Sequence, residues 1–159
     1  MTVRLATLDD IPALAALGAR LARIHHAYDP ARFFLPLSLE EGYQRFYTGE
    51  LANPKALLLT ATEVQAPRHA IVGYVYGCLE PRNWNLLLDD CGKLHDLFVD
   101  DSARHKGVGK ALVRAAVDHL RDMGASQVVL YSATQNSAMQ RLATELGFRT
   151  TMVEMSLSV

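Results

Sequence analysis

The residues best placed for chemistry form a short basic segment with two glycines, Arg104-His105-Lys106-Gly107-Val108-Gly109. An apolar stretch over residues 94–99 precedes it, and after it apolar residues recur at helical spacing as far as Gly124. The pattern predicts a loop between a strand and the N-terminus of a helix. Unpaired amides and the positive end of the helix dipole favour an anion at such a loop.

Glycine has two uses in this loop. Without a Cβ, Gly107 and Gly109 allow the backbone to adopt positive φ and to approach a ligand closely. Positive charge comes from four side chains: Arg104, His105, Lys106 and Lys110. The spacing matches neither the G-x-G-x-x-G of dinucleotide sites nor the G-K-[ST] ending of nucleotide triphosphate loops. By itself the segment leaves two interpretations, an anion cradle or a tight turn before a solvated helix start.

Composition limits the classes of protein that fit. The chain has 159 residues, of which 50% are hydrophobic, and this suits a single domain over residues 1–159. A formal net charge of −1 argues against nucleic acid as a partner. No apolar run reaches the roughly 18 residues of a membrane span, and residues 1–5 lack a signal-peptide core. Neither Cys78 nor Cys91 belongs to a C-x-x-C pair, so we expect reduced thiols, a cytoplasmic protein and no metal site.

Turn residues and apolar periodicity predict the elements that position the basic segment. Asp9 or Asp10 caps a first helix that runs to Ile24, and Ser38 with Glu41 forms a capping box for a second. The predicted strands are residues 3–5, 56–61, 70–79, 94–99, 128–131 and 151–157, with a hairpin turn over residues 66–69. A third helix follows the basic segment, and a fourth precedes the last strand. This order is typical of an α+β fold.

The basic segment resembles the R-x-x-G-x-G pyrophosphate-binding signature of the GNAT family of N-acetyltransferases. Residues 96–101 resemble that family's central strand and the turn after it, with Asp101 in place of proline, and Asn136 followed by Leu146-Gly147-Phe148 resembles its last motif. The resemblance spans nearly the whole chain and implies an acyl-CoA acyltransferase fold. In that fold four helices flank a mixed, mostly antiparallel sheet whose strands four and five splay apart.

The resemblance also implies acetyl-CoA as the acetyl donor. Its pyrophosphate would bind, mainly through backbone amides, to seven consecutive residues: Arg104, His105, Lys106, Gly107, Val108, Gly109 and Lys110. Its pantetheine arm would pair with the backbone of Leu97, Phe98 and Val99 in the gap between strands four and five. Asn136 is predicted to contact the pantetheine or the substrate, with a helix N-cap as the alternative.

Acetyl transfer to an amine needs a base that removes a proton. Strand alternation predicts that His95 shares a face with Leu97 and Val99, while Asp96 points the other way. An imidazole ordinarily has a pKa of about 6.5, which suits proton removal near neutral pH. The position of His95 also resembles one where arylalkylamine acetyltransferases place a histidine. We therefore predict His95 as the base, with a purely structural histidine as the alternative.

The departing thiolate needs a proton, and the family's usual tyrosine falls on Ala143 in this chain. The candidates that remain are Tyr131, Ser132 or a water molecule, or the reaction needs no acid. We predict Tyr131 as the second catalytic residue.

The acceptor site is predicted from aromatic and acidic residues in the first helices, their connection and the loop after strand three. The candidates are Tyr28, Phe33, Phe34, Tyr43, Tyr76, Glu80 and Trp84, together with Arg32. The alternative for the aromatic residues is core packing or surface cover, and for Glu80 a solvated charge.

These observations together predict an acetyl-CoA-dependent N-acetyltransferase that acts on a primary amine of a small molecule by direct attack in a ternary complex. A non-catalytic acyl-CoA-binding or sensing domain is the alternative, because Ala143 replaces the usual tyrosine. A generic phosphate-binding protein would leave the Leu146-Gly147-Phe148 segment unexplained. The resemblance further implies a homodimer.

Overall fold

The computed structural model describes residues 1–65 and 68–157. In chain order its helices and strands are β1 (Thr2–Leu5), α1 (Ile11–Tyr28), α2 (Leu39–Leu51), β2 (Ala56–Gln65), β3 (Arg68–Glu80), β4 (Cys91–Val99), α3 (Val108–Asp122), β5 (Val128–Leu130) and α4 (Ser137–Glu145). Within the described residues, none of the helices combines the length and apolar character needed to cross a membrane.

The five strands form one sheet in the order β1-β2-β3-β4-β5. Neighbouring strands are antiparallel except β4 and β5, which are parallel and pair over only three residues, from Gly92 with Val128 to Leu94 with Leu130. Beyond Leu94, β4 continues to Val99 while β5 ends. The predicted α+β class is confirmed. Among the described residues, no strand lies beside one edge of the later half of β4.

Helices cover both faces of this sheet. In β2, Leu57 and Leu59 belong to a buried cluster with α3, whereas Leu58 between them belongs to a cluster with α1 and α2. Successive strand residues point to opposite faces, so the two clusters lie on the two sides of the sheet. The α3 cluster is built from aliphatic side chains, and the α1/α2 cluster contains the fully buried Tyr47 and Tyr74. Burying each leucine or valine side chain of the α3 cluster contributes roughly 1.5–3 kcal/mol.

A β-bulge in β4 changes which residues share a face. Tyr76 pairs with Asp96 and Gly77 pairs with Leu94, so His95 is an extra residue with no partner on β3. The bulge interrupts the alternation of side chains. Leu94 packs in the α3 cluster, whereas His95 stacks on the ring of Tyr76 on the α1/α2 side.

Two orientation predictions are therefore wrong. Leu97 and Val99 pack against the α3 cluster, so His95 does not share their face. Asp96 does not point away from His95 either, because its carboxylate accepts a hydrogen bond from Tyr47 on the α1/α2 side. Strict alternation fails because it counts the bulged residue as an ordinary one.

The start of α1 is fixed by a charge pair. Asp10 stands at the N-cap, accepts a hydrogen bond from the Thr7 amide at 2.8 Å, and pairs with Arg4 on β1 at 2.6 Å. The Arg4 hydrogen bond holds the pKa of this buried Asp10 carboxyl below its usual value. The helix continues to Tyr28, beyond the predicted end at Ile24.

Other predicted boundaries need correction. Ser38 lies at the N-cap of α2, but its side chain makes no capping hydrogen bond, so the predicted capping box does not form. β4 begins at Cys91, three residues before the predicted start at 94. Of the predicted hairpin turn, residues 66 and 67 lie outside the described residues, and residues 68 and 69 already belong to β3.

The predicted last strand over residues 151–157 is wrong. The described residues 149–157 form no helix or strand and are exposed throughout, and none of their backbone groups is hydrogen-bonded to another backbone group. The alternating sequence is typical of a strand, but a strand also needs a neighbour for its amides and carbonyls. Residues 149–157 have no such neighbour among the residues that the structure describes.

Candidate active site

The basic loop begins with a turn that fastens it to α1. The Asp100 carboxylate accepts hydrogen bonds from the amide and the hydroxyl of Ser102, at 3.0 and 2.7 Å, and pairs with Arg20 on α1. The Ser102 hydroxyl and then Arg20 hold the pKa of the Asp100 carboxyl well below its usual range. A single turn of 3-10 helix, Asp101–Ala103, follows where the family resemblance expects a proline turn.

The loop then turns through two residues in the left-handed region. His105 has φ 61° and Gly107, at the N-cap of α3, has φ 80°. The prediction of positive φ at Gly109 is wrong, because Gly109 lies inside α3 and has no positive φ. Gly107 is thus the position that needs glycine, since a larger residue would be strained there.

The amides of this loop are free to bind an anion. Among the described residues, no protein acceptor takes a hydrogen bond from the amides of residues 105–107, and the first turn of α3 adds amides that no helix can satisfy internally. A Cβ built on Gly107 meets no atom within 4 Å, so open space lies beside the loop. The Val108 side chain is buried, which leaves its backbone as its contribution. These features fit the pyrophosphate of a coenzyme A thioester.

The basic side chains of the loop already have acidic neighbours. Arg104 donates to the Val99 carbonyl at 3.2 Å and pairs with Asp101 at 2.7 Å. Lys106 Nζ lies 3.7 Å from a carboxylate oxygen of Glu63, and Lys110 Nζ lies 3.6 Å from one of Glu145. Part of the charge of these side chains is therefore compensated within the chain.

The free edge of β4 lies next to this loop. The Asp100 amide donates to the Val72 carbonyl on β3, whereas the Val99 carbonyl accepts from Arg104, away from β3. Backbone groups alternate along a strand, so Leu97 and Val99 direct theirs to the free edge and Phe98 directs its own to β3. Of the three predicted pantetheine contacts, Leu97 and Val99 have the suitable orientation.

Asn136 is a helix cap in this structure. It occupies the N-cap of α4, and its side-chain oxygen accepts a hydrogen bond from the Met139 amide at 3.1 Å. The cap alternative is confirmed for that oxygen.

A groove of about 450 Å³ lies beside the bulge, on the α1/α2 face of the sheet. Its walls are formed by aromatic and acidic side chains. Its lining residues are Tyr43, Phe46, Tyr76, Cys78, Glu80, His95 and Asp96. The rings pack against one another, with Phe46 edge-on to Tyr76 at 5.2 Å and Tyr76 stacked on His95 at 5.4 Å between centroids. We call this space the acceptor groove.

His95 is held in the acceptor groove by an acidic partner. Its Nε2 lies 3.0 Å from Glu80 Oε1 and 3.4 Å from Cys78 Sγ. Glu80 Oε2 in turn lies 3.2 Å from Lys93 Nζ, and that ammonium lies 4.6 Å from the centre of the Tyr131 ring. The two predicted catalytic residues, His95 and Tyr131, are thus connected through one carboxylate and one ammonium group.

Three of these side chains could also hold a metal ion. Ligand atoms of Cys78, Glu80 and His95 all lie within 4.8 Å of one another, and zinc accepts sulfur, oxygen and nitrogen ligands. Glu80 is, however, already engaged by both Lys93 and His95. These two contacts would compete with a metal ion for the Glu80 carboxylate.

The floor of the acceptor groove is a buried hydrogen-bonded group. The Tyr47 hydroxyl lies 2.9 Å from both the Tyr74 hydroxyl and Asp96 Oδ2. Burial raises the pKa of Asp96, and burial also raises the pKa of Tyr43 in the groove wall to about 12. At neutral pH the phenol of Tyr43 therefore stays protonated.

The structure places three of the eight predicted acceptor residues, Tyr43, Tyr76 and Glu80, in the groove. Arg32 lies outside the groove lining and pairs with Glu154. Tyr28 and Phe33 pack on His25 instead, and Phe34 is 82% exposed. Trp84 is 75% exposed over Arg82, because its loop closes on itself through a bridge between residues 83 and 88. These four residues do not line the groove.

Three groove residues were not predicted as functional: Phe46, Cys78 and Asp96. Cys78 follows a glycine in an apolar strand, and the sequence favours a buried structural role for it. Asp96 was assigned to the opposite face because nothing local to the sequence signals the bulge. Phe46 carries no motif at all.

Comparison with known proteins agrees with this geometry. A family model described as the acetyltransferase (GNAT) family matches residues 21–148. The mycothiol acetyltransferase of Kocuria rhizophila is 29% identical over 96 residues, which are 60% of this chain and 30% of that protein. N-acetyltransferase 8 of Homo sapiens is 39% identical over 59 residues, which are 37% of this chain and 26% of that protein. The match thus spans less than a third of either relative.

Solved structures share the fold at low sequence identity. The tetramutant of a Bacillus halodurans protein has a TM-score of 0.81 at 20% identity, over 100% of both chains. An aminoglycoside 6'-N-acetyltransferase of Acinetobacter haemolyticus has a TM-score of 0.75 at 19% identity, over 100% of this chain and 98% of that one. Because the family model also covers most of the sequence, this chain belongs to the acetyltransferase (GNAT) family.

Proposed function

We propose that this protein is an acetyl-CoA-dependent N-acetyltransferase that transfers the acetyl group directly to a primary amine of a small molecule in a ternary complex. The observation that carries the proposal is the position of β4. Its free edge at Leu97 and Val99 adjoins the amide-lined loop, and its bulge at His95 opens into the acceptor groove. The two substrates would therefore meet at one strand.

The part of the site proposed to bind acetyl-CoA consists mainly of backbone amide and carbonyl groups. The loop amides of residues 105–107 and the first turn of α3 would bind the pyrophosphate, and Leu97 and Val99 would pair with the pantetheine arm. When bound, acetyl-CoA supplies an acetyl group activated as a thioester. A donor held in this way would direct its thioester toward the point where β4 and β5 separate, in the region of His95 and Tyr131.

We assign His95 as the base and Glu80 as its positioning residue. With the Nε2 proton donated to Glu80, Nδ1 is the ring nitrogen that can accept a proton from the attacking amine. The Glu80 carboxylate would then stabilise the imidazolium that results. Stacking on Tyr76 keeps the ring in one orientation.

Tyr131 is the proposed acid for the departing thiolate. It follows β5 at the point where the parallel strands diverge, and its ring lies against the Lys93 ammonium. The family position Ala143 is buried and has no proton to give, so another group must serve if an acid is needed.

The acceptor groove favours a cationic amine. Aromatic faces attract cations, and the carboxylates of Glu80 and Asp96 line the same space. A small-molecule acceptor is also supported by the substrates for which two similar proteins are named, the mycothiol acetyltransferase and the aminoglycoside 6'-N-acetyltransferase. The free cysteines Cys78 and Cys91 support a reducing compartment such as the cytoplasm.

One experiment separates this function from a non-catalytic acyl-CoA sensor, the alternative favoured by Ala143. The protein is incubated with acetyl-CoA and a panel of polyamines, arylalkylamines, amino acids and aminoglycosides, and thiol release is followed. If the protein is an enzyme, the rate of thiol release should require one class of amine and should saturate as the concentration of that amine rises. Saturable acetyl-CoA binding with no amine-dependent release across the panel would support the sensor.

A further inference from the structure

Three side chains that can bind a transition metal meet in the wall of the acceptor groove. Cys78 and Glu80 lie two residues apart on β3, so strand alternation puts both on one face of the sheet. His95 reaches the same face only because of the β4 bulge, since Leu94 before it packs toward α3. A thiol, a carboxylate and an imidazole thus converge from two strands.

The distances between the ligand atoms suit a zinc ion. His95 Nε2 lies 3.0 Å from Glu80 Oε1 and 3.4 Å from Cys78 Sγ, and the ligand atoms of all three residues lie within 4.8 Å of one another. Bonds of about 2.0–2.3 Å to a tetrahedral zinc ion separate neighbouring ligand atoms by about 3.3–3.6 Å. The two His95 distances are already close to this range. The Cys78–Glu80 pair exceeds it by at most about 1.5 Å, which rotation of the side chains can remove.

The ligand types select zinc over cations that prefer oxygen. Thiolate and imidazole are ligands of zinc, whereas magnesium and calcium are bound mainly by oxygen atoms. A coordinating thiol loses its proton, so Cys78 and Glu80 together would balance the two positive charges of the ion. Burial raises the pKa of the Cys78 thiol, and the charge of Glu80 raises this pKa further. The thiol therefore keeps its proton at neutral pH until a cation enters.

Lys93 leaves one oxygen of Glu80 available to an ion. The Lys93 ammonium lies 3.2 Å from Oε2, whereas Oε1 faces His95. An ion bound by Oε1 would replace the contact between Glu80 and His95, while Lys93 continued to orient the carboxylate through Oε2. The side chains of Glu80 and His95 are each 31% exposed and Cys78 is partly buried, so an ion can reach all three through the groove.

We propose that Cys78, Glu80 and His95 bind one zinc ion, whose fourth position faces the acceptor groove. Three protein ligands with one open position are a common arrangement for zinc. The sequence predicted no metal site because its cysteines lack C-x-x-C spacing. That criterion does not detect ligands that come from two strands and depend on a bulge.

Zinc at this position would stop acetyl transfer, a consequence that rests on the proposed function. A neutral imidazole that binds a metal through Nε2 carries its proton on Nδ1. In the proposed reaction, Nδ1 of His95 is the atom that accepts a proton from the amine. The bound ion would therefore remove the base without touching the loop that binds the pyrophosphate.

The first experiment measures the site itself in full-length, reduced protein from which metal has been removed by chelation. Cobalt(II) is the spectroscopic probe. One equivalent should give the visible absorption of a tetrahedral ion and a near-ultraviolet charge-transfer band from the thiolate, and zinc should abolish both by displacement. Cys78→Ser should lose the charge-transfer band and bind zinc at least about 100-fold more weakly, since loss of an outer-shell partner alone costs up to about that much. Cys91→Ala removes the other free thiol and is the matched control, which should keep the band and the affinity.

The wild-type cobalt spectrum does not depend on the folding of any variant. An octahedral spectrum in wild type, or a tetrahedral one without a thiolate band, would overturn the proposal. A charge-transfer band that persists in Cys78→Ser would also overturn it.

The second experiment measures inhibition, with free zinc fixed by a metal buffer and the acetylated amine quantified by mass spectrometry. Saturating zinc should lower the wild-type rate about 100-fold or more, as expected for loss of a general base. The rate of Cys78→Ser, compared with its own rate without zinc, should be insensitive at the same concentration. Zinc bound at the site with no loss of rate would overturn the inhibitory role. If no amine is acetylated at all, the proposed function fails, and the cobalt spectrum still decides whether the metal site exists.

Discussion

The loop before α3 and the acceptor groove adjoin the same strand, β4, but they are built from different parts of the chain. The loop uses backbone amides of consecutive residues, with Gly107 in the left-handed conformation. The groove uses side chains from α2, β3 and β4 that meet only because a bulge turns His95 toward Tyr76 and Glu80. A site formed by consecutive backbone groups can be predicted from the sequence. A site whose side chains meet only through the register of two strands cannot.

The largest effect should come from breaking the backbone site. Gly107→Val forces a β-branched residue to φ 80° and fills the open side of the loop, so we expect acetyl-CoA affinity to fall at least about 100-fold by calorimetry. Gly124→Val is the matched control, because Gly124 also has positive φ but lies at the far end of α3. Both variants should lose stability, and only the first should lose binding. Equal affinities in the two variants would contradict the loop assignment.

The second largest effect should come from substituting His95 in the acceptor groove, which should lower turnover without changing acetyl-CoA binding. His95→Ala removes the proposed base, so we expect kcat on the true acceptor to fall about 100-fold or more while the acetyl-CoA dissociation constant stays unchanged. His119→Ala, on the exposed part of α3, is the control and should keep wild-type rates. If turnover by His95→Ala equals that of wild type, another group is the base.

Glu80→Gln tests positioning rather than proton transfer. The amide cannot stabilise an imidazolium as a carboxylate does, so kcat should fall about tenfold, with a smaller change in the KM for acetyl-CoA. In a double-mutant cycle, adding Glu80→Gln to His95→Ala should cost little more than His95→Ala alone. Fully additive losses would show that Glu80 acts independently of His95.

These two regions also show how far the sequence reaches. The turn at Gly107 and the helix α3 after it could be predicted from residue types and apolar periodicity, because both depend on local sequence and not on tertiary contacts. His95 and Glu80 could be proposed from the sequence, but their 3.0 Å contact and the orientation of Asp96 depend on the bulge between β3 and β4. Residues 151–157 show the opposite failure, because their sequence is typical of a strand but none of the described residues pairs with them as a neighbouring strand.

A smaller effect is expected from the loop's lysines. Lys106 Nζ lies 3.7 Å from a Glu63 oxygen and is half exposed, so much of its charge is already compensated. Lys106→Ala should weaken acetyl-CoA binding by about 0.5 kcal/mol, or two- to threefold, measured at low ionic strength. A loss as large as that of Gly107→Val would mean that side-chain charge, not the amides, holds the pyrophosphate.

The smallest effects concern pH and have opposite signs in the two regions. The lowered pKa of Asp100 means that its contribution to stability is present above its unfolded pKa and is lost as pH falls toward the folded value. The raised pKa of Asp96 means that protonation favours the folded state, and that this contribution is lost as pH rises through the folded pKa. The check is the urea midpoint of unfolding, measured as a function of pH. In Asp100→Asn the fall in stability at low pH should be smaller than in wild type, and in Asp96→Asn the fall in stability as pH rises should be smaller. The same slope in both variants would refute the opposite shifts.

The central claim is direct transfer between substrates bound on the two sides of β4, and two-substrate initial rates test it most directly. Double-reciprocal plots of rate against amine, at several fixed acetyl-CoA concentrations, should intersect, and intact-mass spectra after acetyl-CoA alone should show no acetyl group on the protein. Parallel lines together with acetylated Cys78 would contradict the account and would make the thiol beside His95 a covalent carrier.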